Sequence, residues 1–587
     1  MSSFISKKYF FITFFLLILA EIFSYLSWQN PLINTICFSL IILITLIISW
    51  RKLEYGFYIL FAELFIGSFG YLFSLTINGF RVSLRMGIFV VVMATWLYRY
   101  LTQLTTQFNA NKDCHSDRRS TSETLSNVVE ESKNEIPRLR FAPLGMTKEK
   151  ARITKKTMVT FAVVIIWAFI WGLIRGNGFS NVFLDFNNWL YFLIILPVFG
   201  VLKKYNHPGS SKLPEGLATP PLKGGDSKNV FFKNIISILS AAVIIIFLKT
   251  FFLFYLFTHG FADIGSEIYR WVRDTRIGEI TLMGGGLYRI FIQSQIYSLL
   301  LFCILFFKGC HPERSEAESR DPVDKNKKEN NQKLPITYYL LLITSLTTII
   351  LSLSRSFWLG LTVSLIIYFF YTLHIIHYTL LFFFKSFSKL LIVVIMSLCL
   401  IVATLYLPPK KDYDLSVLIS KRGISSSEPA SSSRISQLKP LLLAISQHPI
   451  IGSGFGTTVT YKSTDPRAIQ ESLNNSGLIK TYAFEWGYLD MMLKFGALGL
   501  FAYLYLIYLI MKRLLNFQFP ISNFQTNCKF KIQNQKLVNH NSLFIIHYSL
   551  FFALLALLIV NIFSPYLNHP LGIGFLILML IVANEGE

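Results

Sequence analysis

The sequence predicts an all-α polytopic membrane protein of about 12–14 transmembrane helices, and three observations carry that expectation. Hydrophobic residues fill 53% of the 587 positions against 15% charged, and mean hydropathy is +0.51, a balance foreign to soluble chains of this length. Apolar runs near the ~20 residues that cross about 30 Å of hydrocarbon as helix recur from end to end. Those runs are continuous rather than alternating, which excludes the strands of a membrane barrel.

In order, spans are expected near 9–28, 32–50, 57–77, 84–103, 157–174, 183–202, 234–257, 287–307, 336–353, 356–373, 387–407, 487–511, 544–561 and 567–584. The first run, Tyr9 to Trp28, follows Lys7 and Lys8 but has no small-residue cleavage site, so it reads as a retained helix rather than a signal peptide. Lysine clusters at 7–8, 148–156, 203–233, 325–333, 385–389 and 512–536 all fall on one side of this count. By the positive-inside rule that side is cytoplasmic, and both termini lie there.

The domain plan follows. Residues 1–104 are N-terminal helices, 105–156 a cytoplasmic insertion, and 157–335 a second helical block with insertions at 203–232 and 308–335. Residues 336–511 form a core with a large periplasmic loop at 408–483, 512–543 are a further insertion, and 544–587 close the chain with helices. The insertions are rich in Ser, Asn, Glu, Lys, Gly and Pro without apolar periodicity, so disorder is expected there. Two of them carry related strings, CHSDRRS from Cys114 and CHPERSE from Cys310, which read either as Cys-His metal ligands or as tolerated insertions. Cys37, Cys303 and Cys399 sit in apolar runs and Cys528 in a polar one, and no pair has zinc or disulfide-framework spacing. Neither a metal nor another cofactor is expected.

The opposite face holds Arg81, Arg85, Arg175, Arg270, Arg273, Arg276, Arg289 and Arg355 in its short loops and helix ends. Positive charge on the side where it is normally depleted needs a reason. Guanidinium offers a rigid fork of donors matched to phosphate oxygens, so a lipid-linked phosphate or pyrophosphate is the partner it suggests; snorkelling to headgroups is the alternative for any one of them. Nucleic acid is not an expected partner.

Four stretches of the core carry candidate chemistry. Arg355 lies in SLSRSFW at the junction of two apolar runs, either as an anion ligand or as a turn anchor. Arg434 opens RISQLKPLLLAISQHP, an amphipathic helix with Ile435, Leu438, Leu441, Leu442 and Ile445 on one face, Ser432 or Ser433 as cap and a kink at Pro440. GSGFG at 452–456 lacks the Lys-Ser/Thr ending of a phosphate loop, and reads as a tight turn that brings backbones close; GGG at 284–286 gets the same reading, with backbone amides as secondary anion donors. Glu485 stands at the mouth of the helix beginning FEWGYLDMMLKFG, where Asp490 and Lys494 neutralise each other at i, i+4. A carboxylate at a low-dielectric edge suits a general base, or simply complements a helix N-terminus.

The ordered set SLSRSFW, Arg434 with its helix, QHPIIGSGFGT, and E-W-x9-G-x-x-G from Glu485 to Gly499 resembles the O-antigen ligase and polymerase family of bacterial inner membranes, over roughly residues 336–510. The resemblance implies a metal-independent glycosyltransferase of the C-type membrane fold that takes a glycan from a polyprenyl pyrophosphate at the periplasmic face. By motif match Arg355 and Arg434 correspond to the arginines that hold pyrophosphate. The family motif usually begins with His followed by Asn, Ser or Gln, whereas Glu485 and Trp486 stand there in this chain. The expected reaction is an inverting displacement with Glu485 as base and Arg355 and Arg434, helped by Arg289, on the leaving pyrophosphate. The acceptor is a lipid or a glycan, so ligase and repeat-unit polymerase are both open, and a lipid-linked glycan transporter or a scaffold subunit of an envelope assembly system are the rivals outside enzymes.

Overall fold

The computed structural model describes residues 5–77, 80–121, 145–199, 224–309, 336–374, 380–409, 413, 429–463, 469, 477–515 and 534–583. Helix dominates, and strands among the described residues are confined to three two-stranded hairpins. Nine helices there are long and apolar enough to cross a membrane, with four further apolar helices of 10–17 residues at Gln293–Gly309, Ile336–Ser352, Ile545–Val560 and Pro570–Ala583. The chain is an all-α polytopic membrane protein whose full-length spans are fewer than the sequence suggests, because those four are shortened and the span expected at 57–77 is divided between a short helix and a hairpin.

α1 (Lys7–Gln29) and α2 (Pro31–Arg51) join at Asn30, whose side chain accepts from Leu32 N at 2.9 Å while Pro31 fills the first helical position. α3 (Leu53–Ile66) ends before the glycines at 67 and 70, and the rest of the expected 57–77 span is a hairpin of β1 (Ser74–Ile77) with β2 (Phe80–Ser83), Thr76 opposite Arg81. Then come α4 (Leu84–Thr121), α5 (Gly145–Ile174), α6 (Phe179–Leu190) with a 3-10 turn at Tyr191–Ile194, α7 (Gly224–Thr258) and α8 (Ala262–Asp274). A second correction falls on 287–307: β3 (Gly278–Gly284) pairs with β4 (Leu287–Ile292), and helix resumes only as α9 (Ile296–Gly309). The remaining elements are α10 (Ile336–Ser352), α11 (Arg355–His374), α12 (Leu380–Leu405), α13 (Pro429–Gln447), the hairpin of β5 (Val459–Lys462) with β6 (Leu478–Thr481), α14 (Gly487–Leu515), α15 (Asn534–Val560) and α16 (Pro570–Ala583).

Helix also enters the insertions expected to lack structure: α4 runs on to Thr121, α5 starts at Gly145, α7 at Gly224 and α15 at Asn534. What is left of those insertions, with Cys310 and Cys528, lies outside the described residues. The core is built on α9 and α16, apolar all round and buried from Ile296 to Phe307 and from Pro570 to Ala583, with α15 packed between α9 and α11. α1, α2 and α12 instead leave Phe15, Leu32 and Ile392 exposed, as expected where lipid is the solvent. α14 packs on α5 and α13, and that contact positions the site.

Candidate functional site

α13 buries Ser433, Gln437, Leu441 and Ile445, four residues at i, i+4 spacing, and leaves Ile435 and Leu442 exposed. The apolar face expected from the sequence is therefore split, because Gln437 turns inward to donate to Tyr461 Oη at 3.0 Å on β5. The helix begins at Pro429, so Ser433 lies inside it rather than capping it, and it continues through Pro440. Leu441 and Ile445 close a small apolar cluster with Val459, Phe484 and Leu493, which seats α13 and the hairpin over the start of α14.

That seating brings Arg434 to Glu485. Arg434 donates its Nε–H to Glu485 Oε2, and its carbonyl accepts from Trp486 Nε1 at 3.0 Å. Glu485, two residues ahead of α14, thus gains an ion partner from α13.

Arg355 is the exposed first residue of α11. Before it, Leu353 takes a left-handed backbone (φ 45°) and Ser354 N donates to Ser352 Oγ at 3.2 Å. Arg289 on β4 donates Nε–H to the Ser352 carbonyl at 3.1 Å and lies 4.8 Å from the Phe291 ring. It braces the negative end of α10, two residues from the start of the Arg355 turn.

α11, which bears Arg355, and the Glu485 segment both meet the loop between α15 and α16. Ser356 Oγ is 3.0 Å from Ser564 Oγ, and Phe357 packs on Tyr566. Trp486 packs on Phe563 with centroids 5.3 Å apart. One residue of this loop thus touches the Arg355 side and its neighbour touches the Glu485 side, a role no local feature of NIFSPYLNHP announces.

Beneath the site, Lys494 bridges Asp185 and Asp490 at 2.8 Å each, all three buried. Asn568 donates to Asp490 at 2.6 Å and Gly456 N to Asp185 at 2.8 Å. The i, i+4 pair was legible; Asp185 from α6 was not. GSGFG is the close-approach turn expected of it: Ser453 N and Gly454 N donate to the Leu493 and Lys494 carbonyls, Phe455 N to that of Ala168. A Cβ at Gly454 would fall against the Gly172 backbone, and its φ of 81° is left-handed. The clamp meets α14 where Gly496 breaks the helix (φ 69°). Burial raises the Tyr482 phenol, Asp185 acts in the same sense, and Lys494 and Arg276 oppose it.

The arginines expected on the outer face divide. Arg85 is buried and bidentate to Glu63 at 2.8 and 3.2 Å, so it is no surface anion ligand. Arg175 Nη1 lies 2.6 Å from His448 Nε2, and Arg81 and Arg276 share the Tyr71 ring.

Residues 340–504 match the family described as O-antigen ligase, a stretch that holds Arg355, Arg434, Glu485 and Lys494 and leaves out Arg289. Neither the search of curated proteins nor that of solved structures finds a match. The turn of Arg355, the Arg434 helix and the Glu485 helix mouth all fall inside the matched stretch, so the likeness of this chain to the O-antigen ligase family lies in residues 340–504.

Proposed function

We propose that this multi-pass membrane protein is a glycosyltransferase that moves a glycan from a polyprenyl pyrophosphate to an acceptor hydroxyl on a lipid or another glycan, at the periplasmic face of the inner membrane. The observation that carries this reading is the Arg434–Glu485 contact inside the family segment. It puts a candidate base and a candidate phosphate ligand within one hydrogen bond of each other. Glu485 takes the acceptor proton as the hydroxyl oxygen attacks the anomeric carbon; the bond to pyrophosphate breaks with its electron pair, and Arg355 and Arg434 hold the departing charge. Arg289 acts through the Ser352 carbonyl, setting the turn from which Arg355 projects.

The test is turnover by the purified full-length protein with a polyprenyl-pyrophosphate glycan. Arg355→Ala and Arg434→Ala should each cut release of free polyprenyl pyrophosphate by about 10²–10³ at normal membrane abundance. Undiminished release by both variants would remove the clamp from the reading.

A second reading, transport of a lipid-linked glycan, is favoured by one feature: α14 is broken at Gly496, beside the buried Lys494 charges, about 14 Å along the helix. Movement of the labelled lipid between leaflets without release of polyprenyl pyrophosphate would select it.

A further inference from the structure

Arg81 and Arg276 come from distant parts of the chain and converge on one side chain. Their guanidinium carbons lie 4.9 and 5.4 Å from the Tyr71 ring centroid. Arg81 is held by Ser74 Oγ (Nε donor, 2.9 Å) and by the Asp274 carbonyl (Nη1 donor, 3.2 Å). The Asp274 carboxylate is engaged elsewhere, by Arg273 Nε and Trp28 Nε1 at 3.1 Å each. Burial and the neighbouring Arg276 cation lower the Arg81 guanidinium, while Tyr71 and Asp274 oppose that.

Arg276 occupies a position that ordinarily belongs to glycine. It ends α8 with φ 53°, its N–H bonded to the Arg273 carbonyl and Ile277 N–H to that of Val272, the paired pattern in which a left-handed residue closes a helix. A side chain there costs on the order of 1 kcal/mol against glycine. The chain thus keeps a strained arginine to place a second cation beside a first. Arg276 and Tyr71 act electrostatically on Tyr482, three residues before Glu485, which couples the cluster to the candidate site.

We infer that Arg81 and Arg276, gathered on Tyr71, form a second anion subsite that takes a phosphoryl group carried by the acceptor. This rests on the glycosyltransferase reading for the word acceptor alone; the subsite itself stands on the two guanidiniums. It is built from β2 and the end of α8, outside the segment shared with the family. The Tyr71 ring holds both cations in place, and Arg81 keeps its Nη2 donors outside the bonds to Ser74 and Asp274, donors of the kind that phosphate oxygens accept.

The experiment titrates full-length protein in phosphatidylcholine nanodiscs with inorganic pyrophosphate. Wild type should bind two classes of pyrophosphate. Arg276→Gly should weaken one by about tenfold or more, with Tm unchanged or raised because glycine relieves the left-handed strain. Arg81→Gln should weaken the same class and Arg355→Ala the other. Two unchanged classes in Arg276→Gly would overturn the subsite. Loss of the Arg276-dependent class when phosphatidylglycerol is added would assign the arginines to bilayer headgroups and overturn the acceptor assignment. In turnover, Arg276→Gly should raise the acceptor KM at unchanged donor KM and kcat. If wild type shows no turnover, the glycosyltransferase reading fails while the titration still decides the subsite.

Discussion

Arg434 and Glu485, 51 residues apart in sequence, form an ion pair whose side chains are 28% and 39% exposed. A pair this open to solvent contributes about 0–1 kcal/mol. A pyrophosphate carries more charge than one carboxylate, so it competes for the Arg434 fork and leaves Glu485 able to accept a proton. In the proposed reaction, binding of donor and release of the base are then one event. Glu485→Gln should keep donor binding and lose about 10²–10⁴ in transfer rate, read as kcat with purified protein. Unchanged kcat would mean that another group takes the proton.

Arg434→Lys keeps the charge and loses the planar fork, which a pyrophosphate engages with two donors at once. Transfer should fall at least tenfold, with donor KM raised rather than kcat alone lowered. A lysine variant with wild-type constants would mean that charge, not fork geometry, is what Arg434 supplies.

The buried cluster behaves in the opposite way to the exposed pair. Removing Lys494 leaves Asp185 and Asp490 buried without their shared cation. Lys494→Met should cost about 3–5 kcal/mol, seen as a lower Tm in detergent. Adding Asp185→Asn to it should recover part of the loss, since one uncompensated charge is then gone.

How much of this was legible follows from the range of each interaction. Lipid forces continuous apolar runs, so the helices could be read locally, and Asp490 with Lys494 could be read from i, i+4 spacing. LYRIFI at 287–292 is as apolar as a span and gives no sign that its backbone pairs with 278–284 instead. The partner of Lys494 at Asp185 is 309 residues away, and the loop serving both sides of the site lies beyond the family segment. Arg355 and Glu485 stand out in the sequence because each breaks an apolar context, and Arg434 because it opens an amphipathic stretch; Gln437, which redirects a whole helix face, does not stand out, because a glutamine in a helix breaks nothing.

His569 sits on the loop that joins the two sides of the site, its ring 5.1 Å from Phe69. Burial, with the Arg85 cation adding to it, pushes this imidazole down to about 3 from its ordinary 6.5. Between those values the unfolded chain binds a proton that the folded chain refuses. The stability that neutral His569 contributes is therefore complete above about 6.5 and lost as pH falls toward 3. Tm of the wild type should drop across that window, and His569→Gln, which cannot titrate, should flatten the drop while the loop keeps a polar side chain. An identical acid limb in both proteins would mean that other groups, with carboxylates the first to examine, govern the loss of structure at low pH.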